Sequence, residues 1–232
     1  MTSAKQEADG GARLHEAVTA LTGHIREYVA DHEHAVQSLA IAMADPRLTA
    51  AERQHVVDEY HNIYPGFITV FVADDRGLVN QIYPAREGES PPVSDREYFA
   101  EAMQTGRMAV SDVILGRLSH VPIVTIAVPI LVGGKAAGVA GGSLDLSQFE
   151  RFIADFTTLA DARVSVLDQL DRVIYTNATG GVTALQSLSR DALVVGSRSA
   201  PNSVFRYQRA GTGSASRFTS SSTQHQGPFV CS

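Results

Sequence analysis

The feature that most constrains this chain is a helical stripe near its start. From about Ala12 to Met43, apolar residues fall at Leu14, Val18, Leu21, Ile25, Tyr28, Val36, Leu39 and Met43, with the three and four spacing of one helix face. At 1.5 Å per residue, ~30 residues make a rod of about 45 Å, longer than a small domain is wide. Something more than one small domain therefore lies along it. The stripe suits burial against the rest of the chain and equally suits pairing with a second copy, because its spacing is close to a heptad. Asp45-Pro46 ends it, since the residue before a proline is driven out of the helical region.

The segments that follow alternate helix signals with strand signals. Thr49 with Glu52 three residues on forms a capping box for a second helix to about Tyr64. Phe67 to Ala73 and Leu78 to Tyr83 flank the turn Asp74-Asp75-Arg76-Gly77 and predict a hairpin. Pro84 to Pro92 reads as a polar loop. Ser94 predicts an N-cap, with Glu97 as its reciprocal partner, for a helix from Asp95 to about Thr105 closed by Gly106. Met108 to Leu115 reads as a strand and Gly116 to His120 as a loop.

Val121 to Ile130 and Lys135 to Leu144 form a second, strongly apolar hairpin about Gly133-Gly134, with Pro122 and Pro129 near the strand ends. Ser147 predicts the cap of a helix from Gln148 to Phe156. From Arg163 onward the pattern VSVLDQLDRVIYTN repeats in miniature the earlier VFVADDRGLVNQIY, which predicts a second, related sheet. Further strands are expected at Ser203 to Gln208, Arg217 to Ser222 and Phe229 to Cys231, between loops rich in Gly, Ser and Thr. The fold class expected is α+β, a long N-terminal helix with two antiparallel-sheet units. The chain opens on a helix and stops on a strand-like end, Gly227 to Ser232, which predicts a piece of a longer protein.

Composition narrows the function. Of 232 residues, 44% are hydrophobic and 19% charged, as in folded globular proteins, and the net charge of −6 comes without a basic stripe, so nucleic acid is not the expected partner. The single cysteine, Cys231, leaves no disulfide and no thiolate metal site to build. The longest apolar run, Val121 to Val132, is short of the roughly 20 residues that span a bilayer, and the polar first ten residues do not make a signal peptide.

Enzyme chemistry finds no foothold, for there is no nucleophile elbow and no phosphate loop. GGKAAG at 133 to 138 lies in a hairpin turn rather than before a helix. Asp31-His32-Glu33-His34 puts its histidines two apart, on different sides of a helix, and reads as a solvated face; His55 with Glu59 reads similarly. Asn177-Ala178-Thr179 is a glycosylation sequon that matters only in a secreted eukaryotic protein. The expectation is no catalytic residue, no metal and no cofactor.

Binding chemistry is better served. Arg96 offers a planar, five-donor fork for a carboxylate, with Tyr98 and Phe99 beside it; these two point about 100° apart on a helix, so one of them faces a pocket. His120, between loop and strand, reads first as an exposed loop histidine and second as a further donor candidate.

Several of these pieces together resemble one family. The long N-terminal helix, SDREYF at 94 to 99, TIAVPI at 125 to 130, the glycine turn, GVAGGSLDLSQF at 138 to 149 and the reduced second sheet resemble the double Cache sensor domain over nearly the whole chain. The resemblance implies two PAS-like units: the helix at 1–44, a membrane-distal ligand-binding unit at 45–160 and a reduced membrane-proximal unit at 161–232. It also implies a position on the periplasmic or extracellular face of the bacterial cytoplasmic membrane. There the domain, tethered by transmembrane helices, senses a small ligand for a histidine kinase, a diguanylate cyclase or a chemoreceptor. A homodimer through the helix is a further expectation.

The family's ligand-gripping arginine and aromatics match Arg96, Tyr98 and Phe99. Its amino-acid-binding branch carries an acidic residue where this chain has Ser143. That departure points away from an α-amino acid and toward a small anion or carboxylate. Arg96, Arg117, His120, Tyr83 and Ser143 are the donors expected to meet it. The competing expectation is a structural or dimerising ectodomain whose pocket is vestigial.

Overall fold

In the computed structural model the described residues are 2–147, 151, 164–168, 170–176, 183–199, 204–208, 215–219 and 229–231. They divide into two compact units, Tyr28–Asp145 and Met1–Glu27 with Leu146–Ser232.

The first helix, α1, runs Thr2–Met43, ten residues longer at its start than the apolar stripe predicts. Its opening turns are rich in Ala, Lys, Gln and Glu, good helix formers that need no packed face, and they carry Gly10 and Gly11 at about 1 kcal/mol each. The stripe is buried in the single chain at Val18, Leu21, Ile25, Val36, Leu39 and Met43. His32 is buried with it rather than solvated, because it sits four residues from both Tyr28 and Val36 and shares their side of the helix. Its Nδ1 donates to the Tyr28 carbonyl at 2.7 Å, and its ring meets Phe67 edge-on at 4.7 Å. Burial holds its pKa below the ordinary histidine value.

Within Tyr28–Asp145, α2 spans Ala50–Ile63 and begins with the full Thr49–Glu52 capping box. Arg53 on α2 donates to the carbonyl of Met43, the last residue of α1, and to those of Asp45 and Leu48 in the connection that follows. The sheet is built from β1 (Phe67–Asp74), β2 (Val79–Tyr83), β3 (Ala109–Val110), β4 (Ile114–Leu115), β5 (Pro122–Val132) and β6 (Lys135–Asp145). Its order is β2-β1-β6-β5-β3, with β4 also on β5, and every pairing is antiparallel. Gly133 and Gly134 take φ of 59° and 81°, the two positive values that a two-residue hairpin turn demands. Helix α2 covers β1 and β2, and Gln54 exchanges two hydrogen bonds with the backbone of Ile82 on the edge strand.

Two details here differ from expectation. The strand expected over 108–115 is two short ones, because the Ser111 hydroxyl, not a backbone carbonyl, accepts from the Thr125 amide at 2.9 Å and the chain bulges between them. Helix α3 runs Glu97–Thr105 with Arg96, not Ser94, at its N-cap, and Gly106 closes it in the left-handed region. Ser94 is held elsewhere. The Val93 amide donates to Gly77 O at 2.9 Å, and a Cβ built on Gly77 would lie 2.6 Å from the Ser94 nitrogen. This strap is pinned to the β1–β2 turn, so the helix starts after it.

In the other unit, β7 (Ser165–Asp168), β8 (Val173–Thr176) and β11 (Phe229–Cys231) form a three-stranded sheet in the order β11-β7-β8, and β9 (Val204–Gln208) pairs with β10 (Ala215–Thr219). β10 begins two residues before the predicted start. Helix α4, Ala192–Ser199, was not expected, since its Val-Val-Gly run disfavours helix. Val194 secures it by burial with Leu167 and Val173. The helix expected over Gln148 to Phe156 lies, Arg151 apart, outside the described residues.

Candidate functional site

One sheet face of Tyr28–Asp145 carries α3. Phe71, Ala73, Ala127 and Val139 point to it and pack under Tyr98, Phe99 and Ala102. Toward the other end of the strands the same face opens into a cavity of about 510 Å³, its open mouth included. The floor is Thr69 and Phe71 of β1, Ser143 of β6, and Ile123 and Thr125 of β5; Val79 and Ile82 form an apolar side. The strap Pro91–Val93 and the loop Gly116–Ser119 form the rim, with Arg96 and Tyr98 between them.

Of the residues singled out in the sequence, Arg96, Tyr98, Arg117 and Ser143 meet at this cavity. Their circumstances differ. Arg117 is committed: it donates to Pro92 O and pairs with Asp95 at 2.7 Å, tying the loop to the strap. The hydrogen bond from Arg117 holds the Asp95 carboxyl below its usual range. The guanidinium of half-buried Arg96, which lines the cavity, makes no hydrogen bond or ion pair among the described residues. Tyr98 is buried, and burial pushes its hydroxyl pKa up to about 12 against the opposing pull of Arg96 and Arg117. Ser143 is buried and shares a 3.0 Å hydrogen bond with Thr125.

Three other candidates do not reach the cavity. Tyr83 follows Ile82 by one residue, so strand alternation turns it to the opposite face, where it stacks on His61 at 3.7 Å. Phe99 is a core anchor beneath α3, one position round the helix from Tyr98. His120 is exposed, with φ 55°, and its amide closes the loop onto Gly116 O at 3.0 Å. Residues that the sequence reading passed over also line the site, above all Thr69, Thr125 and Ser119. Thr69 and Thr125 carried a usable signal, being polar side chains at inward positions of apolar strands.

Among the described residues no group of three or more His, Cys, Asp or Glu is arranged to hold a metal ion, and no helix is long and apolar enough to cross a membrane.

No family model and no curated protein matches the chain. Solved structures do. The extracellular domain of rpHK1S-Z16, assigned as a histidine kinase, superposes with a TM-score of 0.81 at 14% identity, over 100% of this chain and 95% of that one. The ligand-binding domain of the Campylobacter jejuni chemoreceptor Tlp3, in complex with 4-methylisoleucine, gives 0.78 at 10% identity, over 95% and 88%. The ligand-binding domain of the Pseudomonas aeruginosa amino acid chemoreceptor PctC, in complex with GABA, gives 0.73 at 15% identity, over 96% and 97%. The chain thus has the α+β fold of Cache-type sensor domains, as its sequence resemblance implied.

Proposed function

We propose that this chain is the extracytoplasmic ligand-sensing domain of a membrane signalling receptor, and that the cavity in Tyr28–Asp145 holds a small anion, most simply a carboxylate. The observation that carries this reading is Arg96: an unpaired guanidinium lining a cavity whose floor is part hydroxyl and part apolar. The fold supports it, since the solved structures it resembles are ligand-binding domains of chemoreceptors and an extracellular kinase domain. In this reading the chain performs no chemistry. The units assigned to 45–160 and 161–232 are membrane-distal and membrane-proximal, and the ligand acts by binding one of two conformations more tightly.

A thermal-shift screen of organic acids, amino acids, amines and purines tests the proposal. A ligand present at about 100 times its Kd contributes about 2.7 kcal/mol, a rise of roughly 5–10 °C for a chain of this size. Arg96→Ala abolishes the shift. A shift that survives that change removes Arg96 from the site. A panel without any shift favours the structural, dimerising alternative.

A further inference from the structure

Three strands of the cavity floor carry hydroxyls at one register. Thr69 of β1 lies directly opposite Ser143 of β6, and Ser143 lies directly opposite Thr125 of β5. All three line the cavity, and they are only 9%, 4% and 1% exposed. One step along the same face the row is Phe71, Gly141 and Ala127, without a polar atom in any side chain. Buried hydroxyls in apolar strands cost stability unless something bonds them. Here the internal bonding is incomplete. Thr125 and Ser143 share one hydrogen bond of 3.0 Å, while the Thr69 hydroxyl makes none among the described residues. Across the mouth the Ser119 hydroxyl is buried and likewise has no partner.

We infer that this hydroxyl row, set against Arg96, makes the cavity a site for short 2-hydroxycarboxylates and lets it reject the matching 2-amino acids; the inference rests on the ligand-sensing reading above. Two linked hydroxyls consume one of their two donors, so the row presents both donors and acceptors to the cavity. A ligand hydroxyl, itself donor and acceptor, satisfies them. An ammonium has three donors, no acceptor and a full charge, and among the described lining residues none is acidic. Asp95, two residues beyond the strap, is already paired with Arg117. An amino acid whose carboxylate sits on Arg96 would leave its ammonium buried without a counter-ion, in the field of a like charge. Ile82 and Ile123 supply apolar surface for the short alkyl remainder.

The test uses matched acids that differ only at C2. Lactate, 2-hydroxybutyrate and 2-hydroxyisovalerate are titrated calorimetrically into the chain beside alanine, 2-aminobutyrate and valine, and beside propionate, butyrate and isovalerate. At least one hydroxy acid is expected to bind about tenfold or more tighter than both its amino and its unsubstituted counterpart. Thr69→Val keeps the shape and breaks no internal hydrogen bond, so it leaves the melting temperature level while bringing the hydroxy acid close to its unsubstituted analogue. Ser143→Asp reverses the order in favour of the amino acid.

An amino acid that binds wild type as well as its hydroxy partner overturns the inference and leaves the sensor reading standing. So does equal affinity for the unsubstituted acid, or a hydroxy acid indifferent to Thr69→Val. If none of the nine acids binds, the inference fails; the sensor reading fails with it only if the wider panel of amines and purines also gives no shift.

Discussion

At Gly141 the core and the cavity wall meet in close contact. It lies on β6 between Phe71 of β1 and Ala127 of β5. The Phe71 ring rests directly on it: a Cβ added at Gly141 would stand 2.2 Å from Cζ, 2.4 Å from Cε1 and 2.8 Å from Cε2. Carbon atoms settle at about 3.5–4.0 Å, so Gly141→Ala requires the ring to retreat by more than about 1 Å. Phe71 is buried against Ile82 and Tyr98, and the open space next to it is the cavity it lines. The substitution therefore strains the core by about 1–3 kcal/mol, or relieves part of that strain by tipping the ring into the ligand space.

Thermal and urea unfolding read the first effect as a fall in Tm of roughly 2–12 °C with an unchanged m-value. Calorimetry with the tightest acid found for wild type reads the second, as weakened binding. A double-mutant cycle with Phe71→Leu isolates the contact: Gly141→Ala costs less once the ring is gone, with a coupling of about 0.5–3 kcal/mol. A Gly141→Ala protein that melts with wild type and shows no coupling to Phe71 refutes the reasoning.

Arg53→Ala strips the donors from the carbonyls of Met43, Asp45 and Leu48 and is expected to cost about 1–2 kcal/mol in urea unfolding. Arg53→Lys recovers little of it, because one ammonium cannot span three acceptors as a fork does. Tyr98, whose pKa burial raises from an unfolded value of 10.0 to about 12, contributes stability that is complete below pH 10.0 and drains away as pH rises through about 12. The amount is on the order of 2–3 kcal/mol. Tyr98→Phe removes that share of the alkaline loss, which chemical denaturation across the range measures directly.

The parts of the fold that announced themselves were those governed by residues adjacent in sequence. The Thr49–Glu52 box, the Gly133-Gly134 turn and the Asp74 turn each need only a few neighbouring side chains, and each formed as read. What escaped depended on groups distant in sequence. Arg96 takes the N-cap from Ser94 because the segment ahead of the helix is pinned to Gly77, seventeen positions before Ser94, and Ser111 breaks a strand because its hydroxyl reaches Thr125. The site divided along the same line. Arg96 and the pair Tyr98–Phe99 could be nominated from local chemistry and the resemblance, but which aromatic lines the cavity, the sidedness of Tyr83 and the alignment of Thr69 with Ser143 and Thr125 depend on packing and strand register.

The repeated hairpin shows which of these residues the backbone requires. In the first copy Asp74 Oδ1 accepts from the amides of Arg76 and Leu78; in the second Asp168 Oδ1 accepts from those of Leu170 and Arg172. Both strand pairs shift register at the same place, after Val72 and after Val166. The turn, the bulge and the pairing are therefore common property of the two hairpins. Their faces are not, since the cavity pair Phe71–Ile82 is replaced by Ser165–Thr176, whose hydroxyls bond each other at 3.0 Å. The same hairpin also forms with two small polar side chains at this pair. The aromatic and aliphatic wall in the first copy is thus not imposed by the strand geometry, and its place in the molecule is set by what lies against it, the α3 core on one side and the cavity on the other.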